Sequence, residues 1–141
     1  MLNCFGVDLF FIKNIDRVMS TTMKFTEKLH AAWVSQNSLL MIGLDPDQQR
    51  FPEDIVQDKN AISEFCIRIV DATAKYAYHL KPQIAYFASQ GAETQLANIC
   101  HYIQQKYPHL PIVLDSKRGD IGTTAEHYAH EAFSRYRADA V

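Results

Sequence analysis

Cysteine, glycine and proline are scarce in this chain, with three, five and five in 141 residues. The cysteines, Cys4, Cys66 and Cys100, form no C-x-x-C pair, which excludes the common zinc-ribbon and disulfide-framework layouts and fits a reduced protein. Cys66 and Cys100 fall on the apolar faces of predicted helices, where cysteine acts as a small hydrophobe. Neither G-x-G-x-x-G nor G-x-x-x-x-G-K-[ST] occurs, so the dinucleotide and P-loop fingerprints are missing. There is no excess of one charge either. A net charge of -2 provides no basic field for nucleic acid or an anionic membrane, so an anionic ligand must be held locally. No apolar run is long enough to span a bilayer. The short apolar stretch at 7–12 contains Asp8 and lacks a basic region before it, unlike a secretory leader. These absences lead to the expectation of a cytoplasmic protein with neither nucleic acid nor membrane as partner.

What remains is ordinary globular material, 48% hydrophobic and 21% charged, enough for one core. Residues 1–22 read as an N-terminal extension, with Met19 and Met23 as further possible starts. The periodic pattern, and with it a single domain over 23–141, begins after them. Phe25, Leu29, Ala32 and Trp33 share one helical face, with Thr21 or Thr22 as cap. Residues 38–44 form a continuous apolar run, predicted as a buried strand ending in Gly43-Leu44-Asp45-Pro46-Asp47. Ile62, Phe65, Cys66, Ile69, Val70 and Thr73 draw an amphipathic helix capped by Asp58 or Asn60. A second strand is expected over 78–83. A helix opened by Gly91 buries Leu96, Ile99, Cys100, Ile103 and Tyr107 and is closed by Pro108. The third strand is 110–115. A final helix begins with the capping box Thr123-x-x-Glu126 and buries Ala125, Tyr128, Ala129, Ala132, Phe133 and Tyr136. Residues 138–141 start a fourth strand. Alternating strands and helices imply an α/β protein with a parallel sheet and helical crossovers.

The candidate polar residues share one position in this scheme. Asp45 follows strand one, Lys81 ends strand two, and Asp115 and Lys117 end strand three, which is the edge where parallel α/β sheets and barrels bind ligands. Alternation along a strand points Asp115 and Lys117 the same way, and Gly119 and Gly122 are expected to turn Asp120 back toward them. A lysine between two carboxylates is held as an ammonium ion. Asp45 before Pro46 also fits an Asx turn, and Lys81 a solvated strand end; their company in an acid–base array gives them functional weight. The tripeptide Arg118-Gly119-Asp120 is a short adhesion-like match without an extracellular context. His127 and His130 lie near Glu126 and Glu131 but do not make H-E-x-x-H, and read as exposed helix residues rather than metal ligands.

From about Met23 to Val141 the chain resembles the orotidine 5'-phosphate decarboxylase family, in particular its bacterial-type branch. The resemblance is carried by Leu40-Met-Ile-Gly-Leu-Asp45-Pro-Asp47, by Lys81-Pro-Gln-Ile-Ala-Tyr-Phe87, and by Ile112-Val-Leu-Asp115-Ser-Lys117-Arg-Gly-Asp120-Ile-Gly-Thr-Thr124-Ala-Glu. It implies a (β/α)8 TIM barrel, of which this sequence holds the first half: strands one to three with their helices and the start of strand four. It implies conversion of orotidine 5'-monophosphate to UMP and carbon dioxide in pyrimidine biosynthesis, with no metal and no cofactor. By position, Asp45 binds the ribose hydroxyls, and Lys81, Asp115, Lys117 and Asp120 form a charged tetrad. The resemblance further implies a homodimer in which Asp120 and Thr124 reach the neighbouring subunit's site.

The family's phosphate-gripping arginine and its glutamine and tyrosine loops have no counterpart among these residues, so the chain is expected to carry the charged tetrad without the phosphate grip. Two alternatives accompany this reading. One is a magnesium-dependent sugar-phosphate aldolase or decarboxylase of the same barrel group. The other is a non-catalytic half-barrel that associates with another chain.

Overall fold

The computed structural model describes residues 23–141; Cys4, the expected extension over 1–22 and the proposed caps Thr21 and Thr22 lie outside the described residues. Helix α1 (Phe25–Gln36) starts after Lys24, whose backbone N–H donates to the Glu27 carboxylate at 3.0 Å, and stops at Asn37 in the left-handed conformation, φ 47°. Only Ala32 of α1 is buried, and Trp33 remains 47% exposed, contrary to the expected apolar face. The reason is the small contact area of α1: it rests on the sheet near one turn, and Lys28 ties it to Asp139 at 2.8 Å.

Strand β1 (Leu40–Leu44) pairs in parallel with β2 (Ala77–Pro82), Gly43 facing Lys81 in register. The expectation of a buried first strand needs correction, because only Leu44 is buried while Leu40, Met41 and Gly43 are exposed. Among the described residues no strand covers the other edge of β1. The expected third strand runs beside β2 through single parallel bridges, Leu80 to Ile112 and Gln83 to Asp115, without forming a continuous ladder. Val113 bridges Ala140, so the fourth strand has begun. Asp139 joins three elements here: its carboxylate accepts from the Ile112 backbone N–H at 2.8 Å and from Lys28 at 2.8 and 2.9 Å.

The crossovers between strands hold the core. After β1, a 3-10 turn (Gln48–Arg50) and the short helix α2 (Glu53–Val56) lead to α3 (Ala61–Thr73). Phe51 stacks on Phe65 with 4.4 Å between ring centroids, fixing that connection to α3. After β2 come α4 (Ile84–Ala88) and α5 (Glu93–Lys106). Ile62, Cys66 and Val70 of α3 and Leu96, Ile99, Cys100 and Ile103 of α5 bury against Leu44, Leu80, Ile112 and Leu114 of the sheet, with Phe87 of α4 fully enclosed. Burial pushes both thiols, Cys66 and Cys100, up to about 12, so neither is a nucleophile at neutral pH. On the outer surface the Asp71 carboxylate of α3 accepts from Tyr102, Lys106 and Tyr107, clasping α3 to the end of α5.

Helix α6 (Gly122–His130) continues into a wider π turn over Glu131–Arg135. Two expectations fail here. The capping box does not form, because the helix starts at Gly122 (φ 58°), which puts Thr123 inside the first turn instead of at the cap. The apolar face is also largely open: Ala132 and Tyr136 are buried, but Tyr128 and Phe133 stay 38% and 48% exposed. Residues 131–136 pack on the core while α6 itself stands away from it, leaving a cleft lined by Leu114, Arg118, Ala125 and Tyr128. No helix among the described residues is long and apolar enough to cross a membrane.

Candidate active site

The parallel register sets which side chains share the face away from the helices. Leu44, Leu80 and Leu114 point into the helical core, so by alternation Gly43, His79, Lys81, Val113 and Asp115 lie on the opposite face. At the C-terminal edge of that face the Lys81 ammonium donates to Asp115 Oδ2 at 2.9 Å, and Lys117 Nζ donates to Asp115 Oδ1 at 2.5 Å. Each carboxylate oxygen therefore carries one ammonium group. Lys81 and Asp115 are about four-fifths shielded, whereas Lys117 is 69% exposed. The ammonium of Lys117 thus sits where a ligand at the edge of the sheet would meet it.

This arrangement reverses the expected one. A carboxylate lies between two lysines, and no lysine lies between two carboxylates. Asp120 is exposed and accepts from its neighbour's backbone, Ile121 N–H, at 2.8 Å, outside the Lys81–Asp115–Lys117 cluster. The chain leaves the sheet after Asp115, Lys117 takes the left-handed conformation, φ 49°, and the turn expected at Gly119 and Gly122 does not bring Asp120 back to the lysines. Thr124 is exposed in the first turn of α6. Asp45, one residue beyond β1, is exposed and makes no hydrogen bond to another described residue, so it is not the Asx-turn residue of this loop. Asp47 takes that part, accepting from Gln49 N–H at 3.1 Å. The loop is fastened from behind, where the Gln90 side-chain amide donates to the Pro46 carbonyl at 2.9 Å. Sequence reasoning passed over Gln90 and also Gln83, whose side chain accepts from Ala85 N–H at 3.4 Å and so opens α4. A glutamine just before a short apolar run was the available signal for Gln83.

The hydrogen bond from Lys117, reinforced by that from Lys81, holds the Asp115 carboxyl below the ordinary carboxylate range. Asp115 is therefore ionised throughout neutral pH. Two residues before Lys81, His79 is 8% exposed; burial, assisted by the Lys81 charge, pushes its imidazole down. A lowered pKa in the folded chain means that, below about 6.5, the unfolded chain binds a proton the folded chain refuses. Stability is therefore full above that pH and declines as the pH falls toward the folded value. Urea unfolding at pH 7, 6 and 5 should show progressive loss, and His79→Gln should flatten the slope; an unchanged slope would contradict it. His109, lowered by burial and by Lys28, contributes with the same sign.

Among the described residues no group of three or more His, Cys, Asp or Glu side chains is placed to hold a metal ion, and His127 and His130 are exposed. The arrangement instead offers a fixed ammonium pair around one carboxylate at a strand edge, suited to stabilising developing negative charge and to donating a proton.

Comparison with known proteins gives the family. Residues 38–141 match the family described as "Orotidine 5'-phosphate decarboxylase / HUMPS family". The chain belongs to this family. It is 61% identical over 119 residues to the orotidine 5'-phosphate decarboxylase of Bordetella avium and 60% identical to that of Ralstonia nicotianae, covering 84% of this chain in each case. The chain spans 44% of the length of these curated relatives. Among solved structures it superposes on the putative orotidine-monophosphate decarboxylase of Toxoplasma gondii with TM-score 0.74 and 35% identity, over 82% of this chain and 39% of that one. The OMP decarboxylase of Leishmania donovani gives 0.69 and 34%, over 83% and 42%. The fold is thus the α/β pattern of the first part of the decarboxylase family's TIM barrel, represented by β1, β2, the bridged third strand and the start of the fourth. The family description is broader than decarboxylases, but these relatives carry the decarboxylase name, and none of them supports the aldolase alternative.

Proposed function

We propose that this chain supplies the charged centre of an orotidine 5'-phosphate decarboxylase, converting orotidine 5'-monophosphate to UMP and carbon dioxide without metal or cofactor. The observation that carries the proposal is the Asp115 carboxylate held between the Lys81 and Lys117 ammonium groups at the C-terminal sheet edge. Loss of carbon dioxide leaves a carbanion on the pyrimidine ring with no adjacent carbonyl to delocalise it. A preorganised ammonium beside that carbon stabilises the charge. Lys117, the more exposed of the two lysines, then donates the proton that completes UMP. Asp115, and Lys81 behind it, orient Lys117. Asp45, exposed just beyond β1, binds the ribose hydroxyls.

In this reading the working assembly is a homodimer in the cytoplasm, with Asp120 and Thr124 reaching the neighbouring subunit's site. Their outward exposure, and the engagement of Asp120 with no described residue beyond its own turn, support that role. The buried free thiols Cys66 and Cys100 fit a reducing compartment. Residues 23–141 form the barrel portion and 1–22 an extension; the curated relatives match over 119 residues, the length of that portion. Binding energy from the substrate phosphate positions the reacting end, and in this assignment the phosphate grip comes from the later part of the barrel. The experiment is carbon dioxide release from orotidine 5'-monophosphate by the chain combined with the separately expressed C-terminal part of the Bordetella avium relative, with and without chelator. Chelator-insensitive release is expected. Absence of release, or release that requires magnesium, would overturn the proposal.

A further inference from the structure

The loop between Asp115 and α6 carries both Lys117 and Asp120, yet residues 116–120 make no backbone hydrogen bond to another described element. Lys117 in this loop holds a left-handed conformation that disfavours non-glycine residues, so something besides local preference must maintain it. Two of the loop's side-chain bonds are local, Lys117 to Asp115 and Asp120 to Ile121. The contact that reaches across to another element is made by Arg118. Its guanidinium ion-pairs with Glu131, at the start of the π turn, and lies over the Tyr128 ring of α6 at 5.3 Å from the centroid. The Arg118 and Glu131 side chains, at 29% and 24% exposure, are less open than that of Lys117 beside them. Arg118 is thus engaged within the chain, by Glu131 and Tyr128.

We propose that Arg118 is a positioning residue: anchored to Glu131 and Tyr128, it closes the 116–121 loop so that Lys117 is held on Asp115 while Asp120 faces outward. Arginine suits this task because one planar guanidinium can pair with a carboxylate and lie on an aromatic ring at once, which an ammonium does less well. The inference deepens the proposed function and rests on it for its bearing on turnover, but its geometry is testable without substrate.

The test is the titration of the Asp115 carboxyl carbon by NMR in the whole 141-residue chain. If the anchor positions Lys117, Arg118→Ala frees the loop, Lys117 spends less time on Asp115, and the Asp115 midpoint rises by about half a pH unit or more. Arg118→Lys should give an intermediate rise, and Arg118→Glu combined with Glu131→Arg should bring the midpoint back toward wild type. Should Arg118→Ala fail to fold, Glu131→Gln removes the same ion pair with a smaller change in volume and is read in the same way. A merely structural arginine would lower the melting temperature while leaving the Asp115 midpoint where it is, and that result would overturn the proposal. Loss of the decarboxylase reading would instead appear as absent carbon dioxide release with an Asp115 midpoint that still responds to Arg118.

Discussion

Lys117→Ala is expected to reduce decarboxylation by the reconstituted barrel about 10⁴-fold or more, because one substitution removes both the charge stabiliser and the proton donor. Each of those roles alone is typically worth about 10²- to 10³-fold or more, and they act at the same carbon. The loss should fall on kcat more than on KM, since Lys117 works on charge that develops only in the transition state. Folding should be nearly untouched. Lys117 is 69% exposed, and ion pairs of such exposed groups typically contribute within about 1 kcal/mol. Lys117→Arg separates the two roles, because a guanidinium keeps the positive charge yet does not give up a proton at neutral pH. It should therefore remain severely impaired while retaining some charge stabilisation. Turnover within tenfold of wild type for Lys117→Ala, with folding intact, would show that the proton and the stabilising charge come from elsewhere.

Phe87→Ala is expected to cost about 3–5 kcal/mol, the range for deleting a fully buried aromatic ring. Phe87 has no exposed surface and belongs to the central core cluster. It also closes α4, the short helix directly after the Lys81-Pro-Gln83 segment, where its carbonyl accepts from Ala92 N–H at 2.9 Å. A loss of that size is a large share of the total stability of a small domain, about 5–15 kcal/mol. Tyr86, its neighbour on the same helix, is 40% exposed; Tyr86→Ala should cost much less, about 1 kcal/mol. Urea unfolding of both variants checks the contrast, and a cost below about 1 kcal/mol for Phe87→Ala would mean that α4 is not packed as described.

The stretches that were legible in the sequence are those with a strong period and firm boundaries. In α3 and α5 the apolar positions recur at helical spacing, and Ile62, Cys66, Val70, Leu96, Ile99, Cys100 and Ile103 are buried as that spacing predicts. The five-residue helix α4 was not legible, because its start depends on the Gln83 side chain and its run is too short to show a period. The grouping of Lys81 with Asp115 followed from their common place at strand ends, a property of parallel sheets that sequence order alone reveals. The position of Asp120 did not follow. It was expected from a turn at Gly119 and Gly122, but the chain already turns at Lys117, whose left-handed conformation carries no sequence mark. The exposed faces of α1 and α6 escaped prediction for a related reason. Helical spacing reports which side chains share a face, but it does not report whether another layer covers that face.

The most direct test of the charged centre is a decarboxylation run in heavy water, with the UMP formed analysed by mass spectrometry and NMR. Protonation of a ring carbanion by an exchangeable ammonium predicts one deuterium per UMP, placed at the carbon that lost carbon dioxide, with release unaffected by chelator and lost in Lys117→Ala. UMP formed without that deuterium, or formed equally by Lys117→Ala, would contradict the assignment of Lys117 as the proton donor.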